Sequence, residues 1–184
     1  MTNNKFIQNF DCILKKYGFL MVLNNGELTL NVNHLWLKKT LYFLRDFEGC
    51  LFKMLVDIFV TDYPGKSKRF ILTYCLLSLK YNIRLKVKTV ISEFDSVPSV
   101  VDVYKSSCWL EREVWDMNGI FFENHPDLRR ILTDYGFEGF PLRKDFPLSG
   151  YVETRYDDSQ KRVLLEPIEM SQEQRVFNFK SSWE

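Results

Sequence analysis

"RFILTYCLLSLKYNIRLKVKTVI", residues 69–91, holds two hydrophobic patterns three residues apart. Residues 69–79 are apolar on both faces, as a central strand would be. Residues 83–91 alternate: Ile83, Leu85 and Val87 face inward, while Arg84, Lys86 and Lys88 face outward. Lys80-Tyr81-Asn82 is a tight connection between the two. A third strand is predicted just upstream in "LFKMLVDIFV" (51–60), with Phe52, Met54, Val56 and Ile58 on its apolar face. The outward cations of 83–91 fit a solvated strand face or an edge protected by lysine.

Around these strands the helical period takes over. Residues 4–17 place Phe6, Ile7, Phe10, Ile13 and Leu14 on one stripe, and Gly18 can end that helix. The next stretch predicts a hairpin, with Asn25-Gly26 as its turn and Leu28, Leu30 and Val32 alternating with polar residues. Asn33 can cap a helix over 34–46 that buries Leu37, Leu41 and Leu44. Downstream, Pro98 and Ser99 are expected to open a third helix, with Asp102 completing a capping box. The order α-β-β-α-β-β-β-α predicts a two-layer α+β domain over residues 1–118.

Residues 119–184 predict an extended arm instead. Prolines and glycines interrupt "HPDLRRILTDYGFEGFPLRKDFPLSGY" (125–151) every few residues. A short helix fits 126–134, with Pro126 in its first turn and Asp127 near its positive end. A small hairpin fits 151–167 around Asp157-Asp158. Phe137, Phe140, Phe146 and Tyr151 lie in backbone that cannot build its own core, and burying one such ring is worth roughly 1.5–3 kcal/mol. Two outcomes stay open: the arm folds back on its own domain, or it lies across a second protein, where aromatics with arginine form binding centres.

Composition excludes several classes. The chain has 184 residues and a formal charge of +1, which gives no bulk attraction to nucleic acid. Cys12, Cys50, Cys75 and Cys108 are too dispersed for a structural zinc or cysteine-ligated iron–sulfur cluster, and reduced thiols are expected. No apolar run approaches the ~20 residues of a spanning helix. The N-terminus lacks signal- or transit-peptide character, so the chain is expected to be made where it works or to be already processed. No phosphate-binding glycine loop or nucleophile elbow occurs. An RNA-binding sheet would present aromatics where this one presents Arg84, Lys86 and Lys88.

The densest charged motif is "WLEREVWD" (109–116). Glu111 and Glu113 with His125 could form an acid/base site in a free-standing enzyme; a helix face pairing with itself or a neighbour is the plainer reading. His34 and His125, far apart, predict no metal centre.

Glu111-Arg112-Glu113, Asp116, His125, Arg129, Ile131 and Leu132, followed by "DYGFEGFPLRKDFPLSGY" (134–151), closely resemble the thirty-kilodalton subunit of respiratory complex I, NADH:ubiquinone oxidoreductase. The likeness is strong over 104–184 and weaker over 1–103, and the mitochondrial form is nearer. Two positions depart from the pattern: Asn118, and Phe140 where a histidine is common. The resemblance implies a non-catalytic core subunit of the hydrophilic arm, peripheral on the matrix side of the mitochondrial inner membrane. It implies a hetero-oligomer in which the chain packs on the quinone-pocket subunit, near iron–sulfur subunits. NADH, FMN, iron–sulfur clusters and ubiquinone would belong to the parent complex, with no catalytic, cofactor-binding or metal residue here. The implied signature and interface residues are Glu111, Arg112, Glu113, Asp116, His125, Pro126, Arg129, Arg130, Gly136, Gly139, Arg143, Lys144 and Asp145. The equivalent component of a membrane-bound hydrogenase is the alternative within the superfamily; the long tail disfavours it.

Overall fold

The computed structural model describes residues 10–12, 14–15, 21–24, 26–172, 175–181 and 183. It is a mixed α+β chain, built on one five-stranded sheet with few helices. Strands β1 (Met21–Asn24) and β2 (Glu27–Asn31) form the first hairpin. Gly26 has φ +81°, the left-handed value that its turn requires. Asn25 lies outside the described residues. The Asn33 side chain accepts the Leu35 amide at 3.2 Å and caps a 3₁₀ turn (His34–Trp36) leading into α1 (Leu37–Asp46). Leu37, Leu41 and Leu44 are fully buried on α1.

Strands β3 (Met54–Asp62), β4 (Phe70–Ser78) and β5 (Ile83–Ile91) complete the sheet in the order β1-β2-β5-β4-β3. β5 is the middle strand, parallel to β2 and antiparallel to β4. Its cations therefore occupy a solvent-facing row, and the edge alternative is excluded. The opposite face carries the core: Leu28 and Leu30, Ile83, Leu85 and Val87, and Leu72, Tyr74 and Leu76 pack with α1 and with Val114. Phe10 and Leu14, both helical and fully buried, join this core. Phe6, Ile7, Ile13 and Gly18 of the expected first helix lie outside the described residues.

The expected face of β3 needs correction. Phe52 and Ile58 of that face are buried, but Met54 and Val56 are each 47% exposed and Leu55 is buried instead. The register with β4 jumps between Leu55 and Asp57. That bulge inserts one residue and reverses the alternation, so the side chains beyond it change faces.

The third helix also begins later than expected. Val97–Pro98 form a short strand, β6, parallel to β7 (Phe122–Glu123), and α2 covers Ser107–Asn118. Asp102 pairs with Lys38 at 2.7 Å instead of closing a capping box. No helix forms over 126–134.

Packing divides the described chain between Phe146 and Pro147. The boundary expected at 118/119 therefore falls inside the first unit. The second unit contains the hairpin β8 (Val152–Asp157) and β9 (Arg162–Pro167), in the antiparallel register Val152↔Pro167 to Asp157↔Arg162.

The bulge makes a direct prediction. Leu55→Ala should cost about 2–4 kcal/mol in denaturant unfolding of the purified chain, and Met54→Ala less than about 1 kcal/mol. The reverse ranking would restore the unbulged face.

Candidate functional site

Helix α2 carries two fully buried carboxylates, Glu111 and Asp116, on side chains aimed at different segments of the chain. Asp116 faces the chain that follows. Its Oδ2 accepts the backbone amides of Ile131 (3.1 Å), Leu132 (2.7 Å) and Thr133 (2.9 Å). Its Oδ1 accepts the Thr133 hydroxyl at 2.5 Å and the Arg130 guanidinium at 3.0 Å. Burial alone would raise this carboxyl. The Thr133 hydroxyl and the three amides together outweigh burial and hold its pKa at about 2. This explains the missing helix over 126–134: amides that would donate along the helix converge on one carboxylate instead.

Glu111 faces the chain that precedes. It accepts the Ser99 hydroxyl at 2.7 Å and the Val100 amide at 2.8 Å. These are groups that a helix starting at Ser99 would have used locally, so the onset moves to Ser107. Burial pushes the Glu111 carboxyl up to about 7, against the lowering effect of the Val100, Ser99 and Ser107 hydrogen bonds. His125 is also enclosed. Its Nε2 lies 3.1 Å from the Cys108 carbonyl and its Nδ1 accepts the Asp127 amide at 3.1 Å. That pair of bonds selects the neutral tautomer with the proton on Nε2. Its Nε2 is 3.8 Å from Glu111, beyond hydrogen-bond reach. Glu113 is exposed, so the three groups do not share an open site as an acid/base enzyme would require.

The arginines extend the same framework. Arg112 donates to the carbonyls of Arg129 (3.1 Å) and Arg130 (3.2 Å). Arg130 also holds the Gly139 carbonyl with both terminal nitrogens at 3.1 Å. Arg143 donates to the Asn118 carbonyl at 2.7 Å and pairs with Glu93. Phe140 is enclosed by the Arg143 guanidinium at 4.6 Å, the Arg130 guanidinium at 5.3 Å and Trp115 at 5.8 Å. Gly119 ends α2 with φ +75°, and a Cβ there would sit 2.6 Å from Phe140. Gly139 has φ +98°, and its Cβ would sit 2.7 Å from Phe146. The departure at Phe140 thus fills a defined seat, and a phenyl ring keeps it uncharged between two cations. At Asn118 the group that bonds Arg143 is the backbone carbonyl, which any residue supplies.

Two residues of one cluster, Asp62 and Arg69, are absent from those singled out from sequence, although their partners Lys144 and Asp145 were named. Asp62 binds Arg69 through two bonds of 2.6 and 2.7 Å and accepts the Lys144 amide at 2.9 Å. Arg69 reaches Asp145 at 3.0 Å. The Arg69 guanidinium lowers both carboxyls. An acid and a base bracketing the 63–68 turn were the available signal. The other expected site residues lie at the surface. Arg129 is 71% exposed and pairs with Asp127, and Pro126, Gly136 and Lys144 are exposed. Residues 119–146 are therefore held to their own domain, the fold-back outcome, while Tyr151 remains 61% exposed. Among the described residues no group of three or more His, Cys, Asp or Glu side chains could hold a metal ion.

Two outcomes follow from the carboxylates. Asp116→Asn should cost about 3 kcal/mol, because buried donors lose their anionic acceptor, and should speed tryptic cleavage at Arg129 and Arg130. Glu111 binds its proton more tightly folded than unfolded, so its contribution to stability falls as pH rises from about 4.5 through about 7. Glu111→Gln should remove that decline. A pH-independent difference in unfolding free energy between variant and wild type across pH 5–8 would contradict the assignment.

Comparison with known proteins places this framework. The family described as "Respiratory-chain NADH dehydrogenase, 30 Kd subunit" matches residues 30–152. NADH-ubiquinone oxidoreductase subunit 9 of Prototheca wickerhamii is 53% identical over 182 residues, covering 99% of this chain and 95% of the relative. Its namesake in Reclinomonas americana is 51% identical over 185 residues, covering 98% and 91%. A chain in the structure of the membrane-bound sulfane sulfur reductase, an archaeal respiratory membrane complex, superposes with a TM-score of 0.67. It covers 80% of this chain and 87% of its own at 24% identity, a likeness of fold alone. The Asp116 and Glu111 framework lies within the matched residues, and the chain belongs to the family of the 30 kDa subunit of the respiratory-chain NADH dehydrogenase.

Proposed function

We propose that this chain is a non-catalytic structural subunit of the hydrophilic arm of NADH:ubiquinone oxidoreductase, where it supports the subunit that forms the quinone pocket. On this reading it is peripheral to the mitochondrial inner membrane on the matrix side. No helix among the described residues is long and apolar enough to cross a membrane. NADH, FMN, the iron–sulfur clusters and ubiquinone are handled by other subunits, and this chain contributes position.

The observation that carries the reading is the β8–β9 hairpin. Its register places Val152, Thr154, Tyr156, Val163, Leu165 and Pro167 on one face. Val152, Tyr156, Val163 and Leu165 are 53–66% exposed. The other face is charged and includes an Arg155–Glu166 pair at 2.7 Å. A lone two-stranded hairpin is marginal in water, and each apolar side chain left wet forgoes roughly 1.5–3 kcal/mol of burial. Beyond it Val176, Phe179 and Trp183 are 93–95% exposed. These side chains suit a clamp that is completed by a neighbouring subunit. On the first unit, the exposed signature residues Glu113, Arg129 and Lys144 offer charged groups for partner contacts of their own.

Truncation after Phe146 tests the clamp without cutting the Asp116 and Arg143 bonds. The shortened chain should fold but fail to enter the full-size complex on native gels. Tyr156→Ser with Leu165→Ser should lower complex abundance while turnover per remaining complex stays unchanged. Normal abundance with lost turnover would point to a direct catalytic role instead.

A further inference from the structure

The face of the five-stranded sheet opposite the core is organised in rows fixed by the strand registers. Met54, Leu77 and Arg84 lie abreast, then Asp57, Cys75, Lys86 and Thr29, then Phe59, Thr73, Lys88 and Asn31. Two zones result. The β3–β4 side is apolar apart from Asp57: Met54 and Val56 are each 47% exposed and Phe59 is 39% exposed. The β5 side is a cationic line of Arg84, Lys86 and Lys88.

The charges on this face are unevenly satisfied. Lys86 pairs with Glu27 at 2.5 Å, and Asp57 accepts the Ile58 amide at 2.8 Å. Arg84 and Lys88 have no ion-pair partner among the described residues. A trough of about 560 Å³ opens at the Arg84 end of these rows, lined by Glu27, Val56, Asp57, Cys75, Arg84 and Lys86 among others; Met54, Phe59 and Lys88 lie outside it. Arg84 and Lys88 are stable in water as they stand, whereas Met54, Val56 and Phe59 gain by being covered. They match a segment that is apolar on one side and acidic along its flank.

We propose that this outer sheet face is a second docking surface, and that its occupant is an amphipathic segment of another subunit of the same complex. The segment's apolar side covers Met54, Val56 and Phe59, and its carboxylates meet Arg84 and Lys88. This rests on the chain working inside the NADH dehydrogenase, but it uses a surface separate from the β8–β9 hairpin. The basic row then sets orientation, since charge pairs at an interface fix register more than they add affinity.

Cys75 sits in the trough and reports on its cover. In a chain carrying Cys12→Ser and Cys108→Ser, Cys75 and the buried Cys50 remain. A maleimide probe should modify Cys75 in the free full-length chain and react at least about tenfold more slowly in the assembled complex, since thiol reactivity follows access. Arg84→Glu with Lys88→Glu should reduce the amount of complex at equal chain level, and Arg84→Gln with Lys88→Gln should reduce it less. Unchanged thermal unfolding of these variants keeps the comparison to docking. Equal labelling of Cys75 in free and assembled chain overturns the proposal and leaves the subunit reading intact. So does charge reversal without loss of complex, or protection of Cys75 by single-stranded RNA in place of the complex. A chain absent from the complex altogether overturns the subunit reading itself.

Discussion

A single buried carboxylate organises the lower half of the domain. Asp116 draws three consecutive amides, a hydroxyl and a guanidinium to one point. Charge-assisted bonds of this kind are roughly twice as strong as neutral ones, and they lie where water cannot compete. The path from Arg130 to Phe140 depends on that anchor, while Asn118, Glu93, Asp62 and Arg69 hold residues 143–145. Arg130, fixed by Asp116, holds Gly139, and its guanidinium lies over Phe140. Arg143 meets Phe140 from another side and ties it to the end of α2. A segment rich in proline and glycine thereby gains a fixed path without regular secondary structure.

Glu111 works in the other direction along the same helix, and the contrast between the two acids is informative. Asp116 has enough donors to remain ionised; Glu111 has fewer, and burial dominates. One helix therefore carries one carboxyl held at about 2 and another pushed to about 7. Such a divergence often marks acid/base catalysis. Here each acid is enclosed by its own chain, and the divergence reflects structural work. Perturbed titration alone is weak grounds for an active site when no opening joins the groups.

Local patterns foretold what local forces decide. The alternation at Ile83, Leu85 and Val87, the Asn33 cap and the buried face of α1 are all legible from neighbouring residues. Failures of the sequence reading share a different cause. Ser99 looks like a cap, but its hydroxyl goes to Glu111, twelve residues away. Residues 126–134 carry helical signals, but their amides go to Asp116, on a different element. The bulge at Leu55/Asp57 reverses a strand face that simple alternation assigns the other way. The family motif singled out Glu111, Asp116, Arg130 and Arg143, whereas their intrachain geometry was not legible from it. Asp62 and Arg69 escaped because the groups they hold downstream, the Lys144 amide and the Asp145 carboxylate, lie 82 and 76 residues away.

The division of labour that emerges is between residues 119–146, tied to their own domain through Asp116, Arg130 and Arg143, and the β8–β9 hairpin, which leaves an apolar face wet. Hydrogen exchange of the purified full-length chain measures that division most directly. The account predicts amides of Ile131, Leu132 and Thr133 protected to a degree approaching that of the central strand β5, with amides of 152–167 exchanging far faster until the chain enters its complex. Rapid exchange at 131–133 together with a protected hairpin in the free chain would contradict it.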